Sequence, residues 1–402
     1  MAHRSTIPRL LIAAPKSGSG KTTVVCALLQ ALKKRGLSLT AFKSGPDYID
    51  PMFHRRVLHT PSYNLDLFLF GHGEKGAQAA RQLLCRHGEK SDLVLIEGAM
   101  GYYDGVGTGH EASAYDVAVA TDTPVVLVVD GRGAGLSLGA VLKGMADFYP
   151  DSRVVGFIVN RIKPMVYAHF KEAWEIASGL TALGALPDLP DCAFSSRHLG
   201  LVTAGEIQNL QDIMERLADA AEMHIDLDGL LTLARAASPL AEGDALEAGK
   251  EEETERQAVI AVARDEAFCF YYEDSLDVLR RCGAELIFFS PLHDSHLPPC
   301  DGLYLGGGYP ELYARELEGN ESMRGQIRQA LKGGLPCFAE CGGFMVLASA
   351  LERDGQRWPM SGISRPSAGC PATVNTCPIW PVGMRTMWGA ILSITGTSWF
   401  PF

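Results

Sequence analysis

Residues 14–23 read Ala-Pro-Lys-Ser-Gly-Ser-Gly-Lys-Thr-Thr and follow an apolar run, Leu-Leu-Ile-Ala, at residues 10–13. This order predicts a strand, a glycine-rich loop, and a helix that begins at Lys21 and ends near Arg35. In such a P-loop, backbone N–H groups surround the phosphates of a nucleotide, the lysine binds their outer oxygens, and the next hydroxyl ligates Mg²⁺. The N-terminus of the helix adds partial positive charge. We therefore assign an ATP site to Gly18, Gly20, Lys21, Thr22 and Thr23, with Thr22 as a Mg²⁺ ligand.

Two residues distinguish this loop from the common P-loop pattern. Pro15 stands where that pattern has its first glycine, and a second lysine, Lys16, precedes Lys21 by five residues. The paired lysines resemble the deviant Walker A motif of the MinD, ParA and dethiobiotin synthetase class, in which the extra lysine contacts nucleotide across a dimer interface. The resemblance implies that Lys16 also contacts nucleotide and that the chain can form a homodimer.

Length and composition limit the class of protein. The 402 residues are enough for two ordinary domains, and the 47% apolar and 21% charged content is that of a soluble globular protein. A net charge of −11 argues against a nucleic-acid partner. The ten cysteines form no C-x-x-C pair, which fits a reducing cytosol. Because we find neither an apolar leader nor an apolar stretch of membrane length, we expect a cytoplasmic protein with no membrane partner.

Short apolar runs alternate with helical segments over the first 230 or so residues. The runs that we predict as strands are residues 9–14, 37–42, 93–97, 125–130 and 154–160. Nearly continuous apolar strands are typical of a sheet that helices cover on both faces. We therefore predict an α/β fold with a doubly wound parallel sheet, whose ligands bind at the carboxyl ends of the strands.

The composition changes after that region. Residues 236–257 include a run rich in Glu, Ala and Gly, as in a solvated linker. Strand patterns resume at residues 258–263, 285–289, 302–305 and 335–339. We predict an ATP-binding domain over residues 7–235, an acidic linker over 236–257, and a second α/β domain over 258–363.

Residues 364–402 form a segment of different composition. They contain no Asp, Glu or Lys but hold three of the five tryptophans. A buried apolar tail is one explanation, and out-of-frame translation after a frameshift near residues 362–365 is the one that we favour. Reading the coding DNA in its other frames tests this idea, because a frameshift requires a normal charged continuation in one of them.

Polar residues follow three of the predicted strands. Asp47 and Asp50 come after the second strand, where carboxylates either hold Mg²⁺ or cap a helix after a Gly-Pro turn. Glu97 ends the third strand before a glycine-rich loop, as a Walker B carboxylate does, and is a second candidate ligand for Mg²⁺. Asn160 ends the fifth strand, where it either binds the edge of adenine or belongs to a turn.

The second domain has a candidate nucleophile. Cys341 lies between a strand and a helix pattern, in a tight turn like a nucleophile elbow, and the helix N-terminus favours its thiolate. The glycines at residues 306–308 can offer backbone N–H groups to an oxyanion. A cysteine nucleophile needs a base, but no histidine follows His296 in the sequence. His293 and His296 lie in a proline-rich loop before the thiol, so we predict an incomplete thiol site.

With both sites considered, the chain resembles the cobyrinic acid a,c-diamide synthases of cobalamin biosynthesis, over residues 7 to about 362. Besides the P-loop, the resemblance rests on F-K-S-G-P-D-Y-I-D-P-M-F-H at 42–54, I-E-G-A-M-G-Y-Y-D-G at 96–105, S-R-H-L-G-L at 196–201, G-G-G-Y-P-E at 306–311 and A-E-C-G-G at 339–343. The G-P-D-Y-I-D-P element separates this group from cobyric acid synthases and MinD-type ATPases. The resemblance implies a MinD-like P-loop domain followed by a class I glutamine amidotransferase domain.

The resemblance also implies a reaction. ATP phosphorylates a carboxylate of cobyrinic acid, and ammonia released from L-glutamine attacks the acyl phosphate. It implies phosphate binding by Lys16 and Lys21, Mg²⁺ binding by Thr22 and Glu97, and attack on glutamine by Cys341. Asp47 and Tyr48 would serve the reacting carboxylate or, for Asp47, the metal. The family ends with a segment that carries H-E-F-H, which residues 364–402 replace here. We therefore expect weak or absent glutaminase activity, with free ammonia as an alternative nitrogen donor.

Two other functions are compatible with parts of the sequence. Nickel-sirohydrochlorin a,c-diamide synthases resemble the same family closely, and neighbouring tetrapyrrole genes would distinguish the two substrates. A MinD- or ParA-like ATPase switch would need an amphipathic or basic C-terminal segment, which we do not find, and it would leave A-E-C-G-G unexplained. The sequence leaves open the order of amidation and the metal in the substrate.

Overall fold

The structure is a computed structural model that describes residues 4–71, 73–192, 204–241, 258–353 and 355–363. The chain divides into two compact units, Met1–Ala248 and Gly249–Phe402. Much of the predicted linker and all of the predicted out-of-frame segment, residues 364–402, lie outside the described residues.

The first unit contains a seven-stranded sheet in which all neighbouring strands are parallel. A short strand, β1 (Arg4–Ser5), lies outside this sheet and pairs antiparallel with β9 (Leu240–Ala241). The sheet strands are β2 (Arg9–Ala13), β3 (Leu39–Ser44), β4 (Ser62–Leu65), β5 (Leu93–Glu97), β6 (Val125–Asp130), β7 (Val154–Asn160) and β8 (Thr181–Leu186). Their spatial order is β4-β3-β5-β2-β6-β7-β8, so the strand before the P-loop is central.

Helices cover both faces of this sheet. They are α1 (Lys21–Lys34), α2 (Ile49–Arg56), α3 (Leu67–Phe70), α4 (Gly73–Gly88), α5 (Ala114–Ala120), α6 (Ser137–Asp147), α7 (Pro164–Ser178), α8 (Ala204–His224) and α9 (Leu227–Arg235). Successive side chains of a strand face opposite sides. Accordingly, Leu10 and Ile12 of β2 belong to the core beneath α1, α8 and α9, whereas Leu11 belongs to the core on the other face. The predicted doubly wound parallel sheet is confirmed.

A buried arginine fixes the start of the central strand. The Arg9 side chain is fully buried and donates hydrogen bonds to the carbonyls of Ile7, Thr121, Asp122 and Ser238 at 2.8–3.2 Å. Burial lowers the pKa of this guanidinium to about 10. The side chain thereby joins β2, the loop before β6, and the segment that follows α9.

The second unit has a four-stranded parallel sheet of order β12-β10-β13-β15. Its strands are β10 (Ala258–Ala263), β12 (Ala284–Phe289), β13 (Gly302–Leu305) and β15 (Cys337–Ala339). Two antiparallel pairs accompany it: β11 (Phe268–Phe270) with β14 (Gly307–Gly308), and β16 (Ala350–Arg353) with β17 (Gln356–Pro359). The helices are α10 (Glu273–Arg281), α11 (Ala314–Gly319), α12 (Glu321–Lys332) and α13 (Gly342–Met345). The four predicted strands of this unit are confirmed, although β15 is shorter than residues 335–339.

Within the described ranges, the structure contains no helix with the length and apolarity needed to span a membrane.

Candidate active site

The P-loop connects β2 to α1 at the carboxyl end of the central strand. Gly18 and Gly20 have φ angles of +79° and +89°, a region that favours glycine. A Cβ atom on Gly20 would lie 2.0 Å from Nδ2 of Asn160, so the loop approaches β7 too closely for any side chain there. The helix begins at Lys21, as predicted.

The two lysines of the loop differ in environment. Lys21 is buried, and its Nζ donates a hydrogen bond to the carbonyl of Met100, in the loop after β5. Burial lowers the pKa of Lys21, and the positive charge of Lys43 lowers it further. Lys16 is exposed. Lys21 is thus held at the site by a backbone oxygen, whereas Lys16 is open to solvent.

Two residues at the end of β7 hold the P-loop backbone. Asn160 is buried and its side-chain amide donates to the carbonyl of Ser19 at 3.0 Å. Arg161 donates to the carbonyl of Gly18 at 2.7 Å and forms an ion pair with Asp130, also at 2.7 Å. The sequence predicted an adenine contact or a turn role for Asn160, and the structure gives its amide a P-loop partner. Sequence reasoning missed Arg161.

Four ionisable side chains meet beside the P-loop, and we call them the Lys43 cluster: Lys43, Asp47, Asp50 and Glu97. Strand register places Lys43 of β3 opposite Glu97 of β5. Lys43 Nζ lies 3.0 Å from Glu97 Oε1 and 3.6 Å from Asp47 Oδ2, and it donates a hydrogen bond to Asp50 Oδ2. The side chains of Lys43, Asp50 and Glu97 are 5%, 7% and 0% exposed, so these charges are paired away from water.

The pKa shifts in this cluster follow from burial and mutual charge. Burial opposes the charged form of Lys43, but Glu97, Asp50 and Asp47 together outweigh it and raise the pKa of the lysine. Burial raises the pKa of Asp50, and the neighbouring carboxylate of Glu97 raises it further. Burial also raises the pKa of Asp47, with a second contribution from Asp50. The positive charge of Lys43 opposes both increases and lowers the pKa of Asp50 and of Asp47.

Glu97, which the sequence predicted as a metal ligand, is the last residue of β5. Its Oε1 accepts hydrogen bonds from Thr22 Oγ1 at 2.7 Å and from Lys43. Its Oε2 is buried and has no hydrogen-bond partner in the part of the chain that the structure describes. The structure therefore brings Thr22 and Glu97 together through Oε1 of the carboxylate, and Oε2 accepts no hydrogen bond from the described residues.

Asp47 caps the start of α2, which is one of the two roles that the sequence left open, and its Mg²⁺ role stays a prediction. Its Oδ1 accepts hydrogen bonds from the backbone N–H groups of Ile49 at 2.8 Å and Asp50 at 3.2 Å, at the start of α2. The other oxygen is the one that faces Lys43. Tyr48 is half-buried in the same turn. Asn64 donates to the carbonyl of Asp47 at 2.7 Å and thereby fixes the turn against β4.

The donor atoms at this site fit Mg²⁺. The Thr22 hydroxyl and the Glu97 carboxylate are oxygen ligands one hydrogen bond apart, and Mg²⁺ binds one or two such groups together with phosphates and water. Among the described residues, no group of three or more His, Cys, Asp or Glu side chains has an arrangement suited to a metal ion. A metal at this site would therefore need the oxygens of a bound phosphate.

The thiol site has a strained backbone. Cys341 lies between β15 and α13 with φ +46° and ψ −112°, and it is exposed. The helix that follows is only four residues long. A Cβ on Gly307 would lie 3.5 Å from that of Cys341, so the glycine loop lies against Cys341. The N–H of Gly306 is already engaged, because it donates to the Tyr271 hydroxyl at 2.8 Å.

His293 and His296, the two histidines of the second unit, form hydrogen bonds with residues other than Cys341. His293 Nε2 lies 2.9 Å from Glu266 Oε2, and this hydrogen bond raises the pKa of the imidazole. His296 Nδ1 lies 2.7 Å from the hydroxyl of Ser295. Neither histidine hydrogen-bonds Cys341 within the described ranges. The incomplete thiol site stays a prediction.

Comparison with known proteins gave family matches for both units. Residues 10–201 match the family described as CobQ/CobB/MinD/ParA nucleotide binding domain. Residues 259–365 match the CobB/CobQ-like glutamine amidotransferase domain.

Similar whole proteins share one name, cobyrinate a,c-diamide synthase. The protein from Listeria innocua serovar 6a is 42% identical over 357 residues, which cover 88% of this chain and 77% of the relative. The protein from Gloeobacter violaceus is 43% identical over 356 residues, with 88% and 76% covered. The protein from Thermoplasma volcanium is 41% identical over 368 residues, with 89% and 77% covered. Among solved structures, the MinD cell division protein of Aquifex aeolicus aligns at 15% identity and a TM-score of 0.34, over 56% of this chain and 94% of that chain.

Proposed function

Because this chain belongs to the cobyrinate a,c-diamide synthase family, we propose that it uses ATP to convert the a and c side-chain carboxylates of cobyrinic acid into amides. The observation that best supports this proposal is the contact between the P-loop and the Lys43 cluster, through the hydrogen bond from Thr22 to Glu97. The P-loop and a row of acid side chains thereby share one edge of the sheet.

In the first step, a carboxylate oxygen of the corrinoid attacks the γ-phosphorus of ATP. The bond from that phosphorus to the β–γ bridging oxygen breaks, ADP leaves with the electron pair, and an acyl phosphate forms. Lys21 moves from the Met100 carbonyl to the phosphates, and the backbone N–H groups of the P-loop bind the remaining oxygens. Lys16, which is exposed, adds a second positive charge, within one chain or across a homodimer. Phosphoryl transfer depends mainly on such positioning and charge.

Thr22 and Glu97 would hold Mg²⁺, which would neutralise charge on the phosphate oxygens. The charge of the Lys43 cluster fits this assignment. Lys43 lies within 3.6 Å of three carboxyl groups, so the cluster has more acidic than basic groups, as a cation site requires. Asp47 and Tyr48, in the turn at the border of the cluster, would orient the reacting carboxylate.

In the second step, ammonia attacks the carbonyl carbon of the acyl phosphate. The carbon–oxygen bond to phosphate breaks, phosphate leaves, and the nitrogen loses a proton to give the amide. Cys341 would release this ammonia by attacking the side-chain amide of glutamine. Since His293 and His296 hydrogen-bond other side chains and not Cys341 within the described ranges, we expect free ammonium to be a better nitrogen donor than glutamine for this chain.

The test is to incubate the purified chain with cobyrinic acid, ATP and Mg²⁺, with either ammonium or glutamine as nitrogen donor. Mass spectrometry then detects each replacement of a carboxyl OH by NH₂. We expect ATP-dependent product with ammonium, little with glutamine, and none with Lys21→Ala. The absence of amide with both donors, for a folded chain that binds ATP and corrinoid, would contradict the proposed activity. Equal rates with the two donors would contradict only the predicted glutaminase defect.

A further inference from the structure

A buried histidine lies next to the Lys43 cluster, and the mechanism above does not use it. His54 of α2 is fully buried, as is Ser62 of β4, and the His54 Nδ1 lies 3.2 Å from the Ser62 hydroxyl. The other ring nitrogen, Nε2, lies 3.6 Å from Glu97 Oε2. Neither of these two atoms has a hydrogen-bond partner in the described part of the chain.

The surroundings of the ring define its donor and acceptor atoms. A carboxylate oxygen without a proton can only accept a hydrogen bond, so a hydrogen bond from His54 to Glu97 requires the ring proton on Nε2. Nδ1 is then an acceptor, and the hydroxyl of Ser62 donates to it. A proton on Nε2 would order the three side chains as donors toward Glu97. The final contact is about 0.5 Å longer than a hydrogen bond, so a small movement of the carboxylate completes it.

The hydrogen bonds of Glu97 show what such a contact would add. Both of them, from Thr22 and Lys43, are made to Oε1. The plane of the carboxylate is therefore fixed at one oxygen only. The residue has no exposed surface, so the second oxygen is not in contact with bulk water.

We propose that His54 is a positioning residue, which donates its Nε2–H to Glu97 Oε2 and thereby fixes the orientation of this carboxylate for Mg²⁺. The inference rests on the proposed function of Glu97 as a metal ligand. Partners that orient a metal ligand typically change metal affinity by about 10–100-fold when they are removed.

Two substitutions of His54 distinguish the role of Nδ1 from that of Nε2. His54→Asn keeps a polar group near the position of Nδ1, for Ser62, but removes the N–H that faces Glu97. His54→Gln places its amide nitrogen near the position of Nε2 and keeps that donor. The exposed His59, five residues further on, provides the same chemical change outside the cluster as His59→Asn.

The experiment measures binding of a non-hydrolysable ATP analogue to the full chain by calorimetry, across a Mg²⁺ series and in EDTA. We expect His54→Asn to raise the Mg²⁺ concentration needed for half-maximal enhancement about tenfold or more. His54→Gln should recover most of this loss, and His59→Asn should match the wild type. Binding in EDTA should be unchanged in all three variants, since the P-loop is intact.

A double-mutant cycle with Glu97→Gln identifies the contact, because His54→Asn should have no further effect on Mg²⁺ in that background. Wild-type Mg²⁺ dependence in His54→Asn, or an equal loss in His54→Gln, would overturn the inference alone. Failure of the wild-type chain to bind nucleotide in a Mg²⁺-dependent way would overturn the proposed function and the inference with it. If His54→Asn does not fold, Ser62→Ala replaces it, with a weaker Mg²⁺ response as the expected result and an unchanged response as the contrary one.

Discussion

Lys43→Met is the substitution that tests the charge balance of the site most sharply. Methionine keeps most of the apolar stem of the lysine but removes the only cation within 3.6 Å of Asp47, Asp50 and Glu97 in the described structure. Removing one partner of a buried ion pair typically costs about 3–5 kcal/mol, because the remaining charge stays buried. We expect a loss of this size in the free energy of unfolding of the first unit at pH 8.

The loss should become smaller in acid, and the sign follows from the pKa shifts. Burial already raises the pKa of Asp50 and of Asp47 while Lys43 lowers both, so removing the lysine raises them further. The folded chain then keeps protons that the unfolded chain releases, and stability falls as pH rises between the unfolded and the folded pKa. Within that window, each carboxyl group changes the penalty by up to about 1.4 kcal/mol per pH unit.

Pulse proteolysis in a urea series at pH 5 and pH 8 measures this effect, with peptides from β5 as the readout for the first unit. Lys34→Met is the matched control, because Lys34 forms its ion pairs with Glu215 and Asp219 on the exposed surface. We expect that variant to lose much less stability at both pH values. A Lys43→Met chain as stable as the wild type, or one whose deficit is the same at both pH values, would refute the reasoning.

Three other substitutions have defined outcomes. Gly20→Ala should weaken ATP binding about tenfold or more by calorimetry, because its Cβ would lie 2.0 Å from the Asn160 amide. Gly36→Ala is the control, since Gly36 has a similar φ of +83° but no atom within 4 Å of the added Cβ, and it should leave ATP affinity unchanged. Arg9→Met should lower the free energy of unfolding of the first unit by about 3–5 kcal/mol in urea, since it leaves several buried carbonyls without a donor. An unfolding free energy equal to that of the wild type would contradict this expectation. Cys341→Ala should leave the ammonium-dependent amidation rate unchanged, and a fall in that rate would place the thiol in the amidation step itself.

The parts of the fold that depend on local patterns were predictable from the sequence. The P-loop has a fixed spacing, and the central strands are apolar runs because helices cover both faces. The two edge strands of the large sheet, β4 and β8, were not predicted. β4 has only four residues, Ser-Tyr-Asn-Leu, and β8 contains Gly184 at a φ of +123°. β4 lacks the continuous apolar pattern that identified the others, and β8, Thr-Ala-Leu-Gly-Ala-Leu, has no Val, Ile or aromatic residue to distinguish it from a helix.

The Lys43 cluster was only partly predictable, because its contacts depend on the pairing of distant strands. Asp47 and Glu97 were identified singly, but the bond between Lys43 and Glu97 joins residues 54 positions apart. For that reason, sequence reasoning placed Asp50 beside Asp47 as a candidate carboxylate but gave no site role to Lys43. It also missed His54, although the spacing of four residues from Asp50 could have indicated a shared helix face.

In the proposed mechanism, ATP activates a corrinoid carboxylate as an acyl phosphate beside Lys21 and Glu97. Labelling the carboxylates of cobyrinic acid with ¹⁸O and analysing the inorganic phosphate released with ammonium as nitrogen donor tests it most directly. We predict one labelled oxygen in phosphate for each amide formed. Amide formation with unlabelled phosphate would contradict the claim, because the carboxylate oxygen would then never have bonded to phosphorus.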